Sequence, residues 1–169
     1  MPSPRLSISI MTLMTLALVA APIWAGPPDI SGVEAMKSLV GEWAGTESQG
    51  EPVRVSYQLT SGDSILMETI SLSDHPSMVT TYYVDGDHLM MTHYCSLKNQ
   101  PRMRAAMPAG QAKQLVFSFV DATNVSSPSQ AHMHRVAFTF QDADHMTQEW
   151  TLSKEGKELP TVFTLARQK

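Results

Sequence analysis

The chain has 169 residues, of which 12 are Lys or Arg and 16 are Asp or Glu, giving a net charge of −4 at pH 7. This acidic balance argues against a nucleic acid as partner, because binding to a polyanion requires a basic surface. Cys95 is the single cysteine, so no disulfide can form within the chain and packing must stabilise the fold.

The first 25 residues have the features of a signal peptide. Arg5 supplies a positive charge, and residues 6–21 form an apolar run without any charge. Ile23 and Ala25 suit the positions that signal peptidase reads, so we expect cleavage after Ala25 and export to the periplasm or the medium. We then expect one mature domain, residues 26–169, without a membrane span. An uncleaved membrane anchor is the alternative, because the apolar run is just long enough to cross a bilayer.

The mature chain begins with a predicted helix and continues with predicted strands only. Ser31 and Glu34 have the spacing of a capping box, which predicts a short helix over residues 31–39. After it, short runs rich in Val, Thr, Tyr, Phe and Trp alternate with turn residues. They predict about nine strands, at residues 40–47, 52–60, 64–72, 77–84, 88–96, 113–121, 132–141, 144–153 and 160–167.

Alternating apolar and polar residues indicate strands with one buried and one wet face. The residues of one face are, in chain order, Leu89, Met91, His93 and Cys95; Leu115, Phe117 and Phe119; and His132, His134, Val136, Phe138 and Phe140. Most links are short and suit neighbouring antiparallel strands. We therefore predict an all-β, antiparallel up-and-down β-barrel, since closure removes the exposed edges of a sheet. A two-sheet sandwich is the alternative.

The first predicted strand carries a short motif, Gly41-Glu42-Trp43, followed by Gly45. It resembles the Gly-x-Trp signature of the calycin barrels, which include the lipocalins and fatty-acid-binding proteins. The continuation is similar to bacterial lipocalin-like and nitrobindin-like barrels. The resemblance implies that Trp43 closes one end of the barrel as a structural residue.

A meander that starts at the closed end would place the links after its odd strands around the open mouth. These links are residues 48–51, 73–76, 97–112 and 142–143, of which 97–112 is the longest and is predicted to be a functional loop or a merely solvated one. The ligand-binding residues predicted at this mouth are Met78, Met91, His93, Cys95, Arg102, Arg104 and His145. An arginine pair over an apolar barrel suits an anionic headgroup. The leading hypothesis is an exported barrel that binds a small, mainly apolar ligand.

Two pairs of residues offer an alternative as zinc or copper ligands. His93 and Cys95, like His132 and His134, are two apart on a strand and so project to the same side. The predicted topology puts the pairs at opposite ends of the barrel, which disfavours one combined site. For His132 and His134, hydrogen bonding to loop backbone at the rim is the competing interpretation.

Haem and catalysis have weaker support in the sequence. The nitrobindin-like resemblance implies a haem held by a histidine late in the chain, but no histidine follows His145, and only His93 could replace it. No catalytic motif is present, and His93 and Cys95 would point in parallel instead of facing each other, so no catalytic residue is predicted. An envelope protein with a packed interior and a protein-binding surface remains a third hypothesis.

Overall fold

The computed structural model describes residues 36–73, 75–107 and 112–169. The predicted signal peptide and the Ser31 cap lie outside these residues. Residues 36–40 form a turn, in which Leu39 N donates to Met36 O and Val40 N donates to Lys37 O. No helix in this described part is long and apolar enough to cross a membrane.

Within these described residues, ten antiparallel strands form a closed barrel, in which each strand pairs with its neighbours in sequence and the first pairs with the last. The prediction of an all-β up-and-down barrel is therefore confirmed, with one strand more than expected. The strands are β1 (Gly41–Glu47), β2 (Pro52–Thr60), β3 (Ile65–Leu72), β4 (Met78–Asp85), β5 (His88–Tyr94), β6 (Gln100–Ala106), β7 (Gln114–Thr123), β8 (His132–Phe140), β9 (His145–Lys154) and β10 (Lys157–Arg167).

The unpredicted strand is β6, which lies within the segment expected to be a long loop. Its buried face consists of Pro101, Met103 and Ala105, and Met103 pairs with Met91 of β5. This alternation is hard to recognise, because proline and alanine are weak strand formers. The prediction of a long loop at residues 97–112 is wrong.

One extra strand reverses the direction of every strand that follows it. One end of the barrel, here called the mouth rim, carries the links β1–β2, β3–β4, β5–β6, β7–β8 and β9–β10. The opposite end, here called the Trp43 rim, carries residues 36–40 and the remaining links. The link at residues 142–143, predicted at the mouth, therefore lies at the Trp43 rim.

The Trp43 rim is closed by packing around the Gly-x-Trp motif. Trp43 is buried and donates its indole N–H to the Leu39 carbonyl at 2.8 Å, while the Arg167 guanidinium lies 4.4 Å from its ring centroid. Gly41 has a φ of 126°, a conformation that L side chains rarely adopt. A Cβ on Gly45 would lie 1.8 Å from the Thr164 carbonyl oxygen, so only glycine allows β1 and β10 to close the barrel here.

The middle of the barrel is filled by large side chains. Tyr82 makes edge contacts with Phe117 and Phe138, at centroid distances of 5.6 and 5.9 Å, and Met91 and Met103 are fully buried beside this group. These side chains fill the described middle of the barrel, so a ligand cavity is expected nearer to a rim.

Candidate functional site

A cavity of about 260 Å³ opens at the mouth rim. By comparison, an engineered apolar cavity of about 150 Å³ holds one benzene ring. Its apolar lining consists of Ile70, Leu72, Met78, Met133, Trp150 and Phe163, and its polar lining of Glu47, Gln49, Glu51, Ser73, His75, His93 and Thr161. The cavity thus has the form of a small ligand pocket, apolar with a few polar groups.

His93 is the most deeply buried polar residue of this lining, with 1% of its surface exposed. Its Nδ1 lies 2.9 Å from Thr80 Oγ1, its ring packs against Trp150 at 4.8 Å, and its Nε2 is buried without a hydrogen-bond partner. Burial lowers the pKa of His93 to about 4, so the ring is neutral at pH 7. A neutral imidazole with one unpartnered nitrogen is a specific hydrogen-bonding group for a ligand.

Behind His93 lies a fully buried carboxylate, Glu68. Its Oε1 accepts hydrogen bonds from Tyr57 OH at 2.6 Å and Gln148 Nε2 at 2.7 Å, and its Oε2 accepts one from Tyr82 OH at 2.8 Å. The Thr80 hydroxyl lies close enough to this carboxylate to lower its pKa as a hydrogen-bond donor does. Burial raises the pKa of Glu68, and these hydrogen bonds act in the opposite direction.

The two tyrosines keep their protons in this environment. Burial and the neighbouring carboxylate raise the pKa of Tyr57 and Tyr82 well above the ordinary value. Gln148 connects them to the cavity, since its Oε1 accepts the Trp150 indole N–H at 2.8 Å. A series of polar contacts therefore runs from the centre of the barrel through Thr80, which is hydrogen-bonded to His93.

The outer part of the cavity is acidic. Glu47 accepts backbone N–H groups of Gln49 and Glu51 at 2.7 and 3.3 Å, and Ser73 Oγ lies 3.2 Å from a carboxylate oxygen of Glu51. Among the described residues that line the cavity, none is Lys or Arg. The electrostatic potential at the opening is therefore unfavourable for an anion.

The predicted pocket residues fall into two groups. Met78 and His93 line the cavity. Met91 instead belongs to the packed middle of the barrel, and Cys95 is a buried thiol whose pKa is raised by burial. Neither of the latter two is part of the cavity lining.

Three other predicted residues lie away from the cavity. Their positions were predicted wrongly because the prediction lacked strand β6. Arg102 and Arg104 are exposed on the outer face of β6, where Arg102 Nε donates to Asp121 Oδ1 at 2.6 Å. His145 begins β9 at the Trp43 rim and lies 2.9 Å from the Asp142 carboxylate. The expected arginine pair at the mouth is thus a surface feature.

His132 and His134 begin β8 at the mouth rim, and the prediction that they lie at the closed end is wrong. The β7–β8 ladder runs only from Gln114 to Ser118, and a β-bulge in β8 follows Met133. Their rings pack against Phe119 at 4.7 and 5.3 Å, beside the end of β7 that pairs with β6 but not with β8.

The described residues do not bring the predicted metal ligands together. His132 Nδ1 lies 2.7 Å from the Gln130 carbonyl oxygen, as in a hydrogen-bonded rim histidine. Within the described ranges, no three His, Cys, Asp or Glu side chains form a group that could hold a metal ion. The four-ligand site with His93 and Cys95 therefore has no geometric support.

The haem expectation also fails to fit the side chains present. The last histidine, His145, is at the wrong rim, as described above. A cavity of about 260 Å³ is less than twice the volume that one benzene ring occupies in a protein interior, and a tetrapyrrole is several times larger than benzene.

Sequence reasoning missed the buried polar cluster, although one signal was visible. Leu66, Glu68 and Ile70 alternate on the buried face of β3, so the acid occupies an apolar position. An acid on the apolar face of a strand indicates a buried, hydrogen-bonded carboxylate.

Comparisons with known proteins agree with the fold. No protein-family profile matches the chain, and no curated protein matches it. The structure is similar to that of Rv2717c from M. tuberculosis, with a TM-score of 0.61 and 13% identity over 81% of this chain and 97% of that one. It is also similar to a protein of unknown function from the DUF3598 family of Nostoc punctiforme, with a TM-score of 0.55 and 14% identity over 79% of this chain. The chain spans about half, 49%, of that second protein. At these identities both likenesses concern the fold alone.

Proposed function

We propose that this protein is an exported, lipocalin-like barrel that binds a small, mainly apolar and uncharged molecule in the cavity at the mouth rim. The observation that carries the proposal is a largely apolar cavity with one buried, unpartnered polar atom, His93 Nε2. Apolar walls supply affinity by burying the ligand, and a single polar group supplies orientation. The Gly41-Glu42-Trp43 motif and the ten-stranded closed barrel support the calycin resemblance.

The charges of the site favour a neutral ligand over one with an anionic headgroup. Glu47 and Glu51 stand at the opening, and Arg102 is engaged with Asp121 on the outside of the barrel. A carboxylate that entered the cavity would lose its hydration near two like charges, without a cationic partner to compensate.

Native mass spectrometry of protein purified from its own host tests the proposal. We expect a small organic adduct on the wild type that is absent from Met133→Trp, which fills the cavity. Val84→Trp is the matched control, because Val84 is 48% exposed on another strand. Absence of any adduct, together with failure of neutral bicyclic aromatic probes to bind, would contradict ligand binding.

Export is tested separately by fractionation. When the full chain is expressed in a bacterium, we expect it outside the cytoplasm with the mass of residues 26–169. Retention of residues 1–25 in a membrane fraction would instead support the anchor alternative.

A further inference from the structure

We propose that the cavity selects ligands that donate a hydrogen bond, such as alcohols, phenols or N–H compounds, because His93 presents Nε2 to the cavity as an acceptor. This inference rests on the proposed function, since it names the chemical class of the ligand. It depends on which ring nitrogen of His93 carries the hydrogen. The hydrogen-bonded chain behind His93 decides that question.

The series of hydrogen bonds behind His93 starts at the Trp150 side chain, which can only donate. The Trp150 indole N–H has no acceptor function, so the oxygen it contacts at 2.8 Å must be the amide carbonyl Oε1 of Gln148. The orientation of this amide is thereby fixed, and Nε2 of Gln148 faces Tyr57 and Glu68. Both amide hydrogens are then used as donors.

The orientation of the Gln148 amide determines how Tyr57 and Glu68 are hydrogen-bonded. Because Tyr57 accepts a hydrogen from Gln148, its own hydroxyl hydrogen is free to point to Glu68 Oε1. That oxygen accepts two donors and therefore carries no proton. Tyr82 donates to the other oxygen of Glu68.

The Thr80 hydroxyl then determines which atom donates in its hydrogen bond with His93. Besides His93, the Thr80 hydroxyl faces the Glu68 carboxylate and the Tyr82 oxygen, and it lowers the pKa of both groups as a hydrogen-bond donor does. The single hydroxyl hydrogen of Thr80 thus points away from His93. The 2.9 Å contact between Thr80 Oγ1 and His93 Nδ1 is then a hydrogen bond donated by Nδ1–H.

A neutral imidazole with its hydrogen on Nδ1 has a lone pair on Nε2. This nitrogen is buried, lacks a protein partner and belongs to a residue that lines the cavity. Filling the cavity with a group that cannot donate leaves this acceptor unsatisfied in an apolar environment, which costs free energy. A hydroxyl or N–H group on the ligand removes that cost.

The tautomer of His93 is the first test and needs no ligand. Long-range proton–nitrogen correlation spectra of ¹⁵N-labelled protein at pH 7 should show a protonated Nδ1 and an unprotonated Nε2 for His93. His93→Phe assigns the signal by its disappearance. A spectrum with the hydrogen on Nε2 would overturn the inference even if the cavity binds ligands.

A matched ligand series is the second test. The probes are 2-naphthol, 2-methoxynaphthalene and 2-naphthoate, which share one bicyclic ring and differ in a single group. We expect 2-naphthol to bind about fivefold more tightly than the ether, since a neutral hydrogen bond contributes roughly 1 kcal/mol and 1.4 kcal/mol is a factor of ten. The carboxylate should bind most weakly of the three.

His93→Phe should abolish the preference while keeping the ring volume of the cavity. The variant is expected to bind 2-naphthol and its ether equally, whereas His145→Gln, at the opposite rim, keeps the wild-type ratio; thermal unfolding confirms that both variants fold. Equal binding of the two probes to the wild type would refute the inference. Failure of all three probes to bind would instead count against the proposed function, while the tautomer spectrum still tests the hydrogen-bond geometry.

Discussion

Acidification from pH 7 to pH 4 is expected to remove the contribution that the neutral form of one residue, His93, makes to the stability of the barrel. In the folded chain its pKa is lowered to about 4 by burial, whereas in the unfolded chain it lies near the ordinary 6.5. Between these values the unfolded state binds more protons than the folded state, so the free energy of unfolding falls as the pH falls. A pKa difference of this size corresponds to about 3 kcal/mol at 1.36 kcal/mol for each pH unit.

Other groups titrate in the same range, so the effect of His93 must be isolated by difference. Glu68, whose pKa is raised by burial, contributes the opposite sign, because its folded form takes up a proton more readily as the pH falls. Asp121 and Asp142, whose pKa values are lowered chiefly by hydrogen bonds, contribute the same sign as His93 but are largely exposed.

Urea unfolding of the wild type and of His93→Gln at half-unit steps from pH 7 to pH 4 is the measurement. Relative to His93→Gln, the wild type should lose about 3 kcal/mol of unfolding free energy between pH 7 and pH 4. Val84→Thr serves as the control, because Val84 is 48% exposed and carries no titratable group, so its profile should run parallel to that of the wild type. Parallel profiles of the wild type and His93→Gln would refute the assignment of a buried, neutral histidine.

Four further predictions concern individual contacts. Glu68→Leu should lower the free energy of unfolding by about 3 kcal/mol in urea titrations, because three or more buried donors lose their acceptor at roughly 1 kcal/mol or more each; unchanged stability would contradict the described cluster. Gly45→Ala should cost about 3 kcal/mol, since its Cβ would overlap the Thr164 carbonyl, and a wild-type melting temperature would show that β1 and β10 can separate without loss. Arg167→Lys should cost about 1–2 kcal/mol, because a lysine cannot reproduce the planar contact with two backbone carbonyls and an indole ring, which a thermal melt will detect. Arg102→Gln should leave the affinity for 2-naphthol unchanged in a fluorescence titration, and a large loss would return Arg102 to the binding site.

The fold class could be predicted because most strands have one apolar face and short links. The strand β6 could not, for a physical reason. Its buried side chains, Pro101, Met103 and Ala105, offer little β propensity, and its alternate positions include Arg102 and Arg104. The pairing with β5 and β7 on either side imposes the extended conformation, and such non-local contacts do not show in a local pattern.

The site was predicted only in part for the same reason. Met78 and His93 precede β6 in the chain, so their position at the mouth was not affected by the missed strand. Arg102 and Arg104 lie on that strand and His145 lies after it, so their predicted positions were wrong. Glu68 was overlooked because acidic residues are rarely buried, and its partners Tyr57 and Gln148 come from separate strands.

A buried carboxylate without a cationic partner is costly for a small barrel, and a core in which the acid and its donors were all replaced by apolar side chains would often be as stable. Stability alone therefore does not account for Glu68 and its donors. The cluster does one thing that an apolar core cannot do, since it determines which nitrogen of His93 carries the hydrogen and hence that Nε2 meets a ligand as an acceptor. Trp150 belongs to both parts, because its indole N–H orients Gln148 and its ring lines the cavity beside His93. The polar cluster and the cavity therefore act together, because the buried hydrogen bonds make His93 Nε2 the acceptor that a ligand meets.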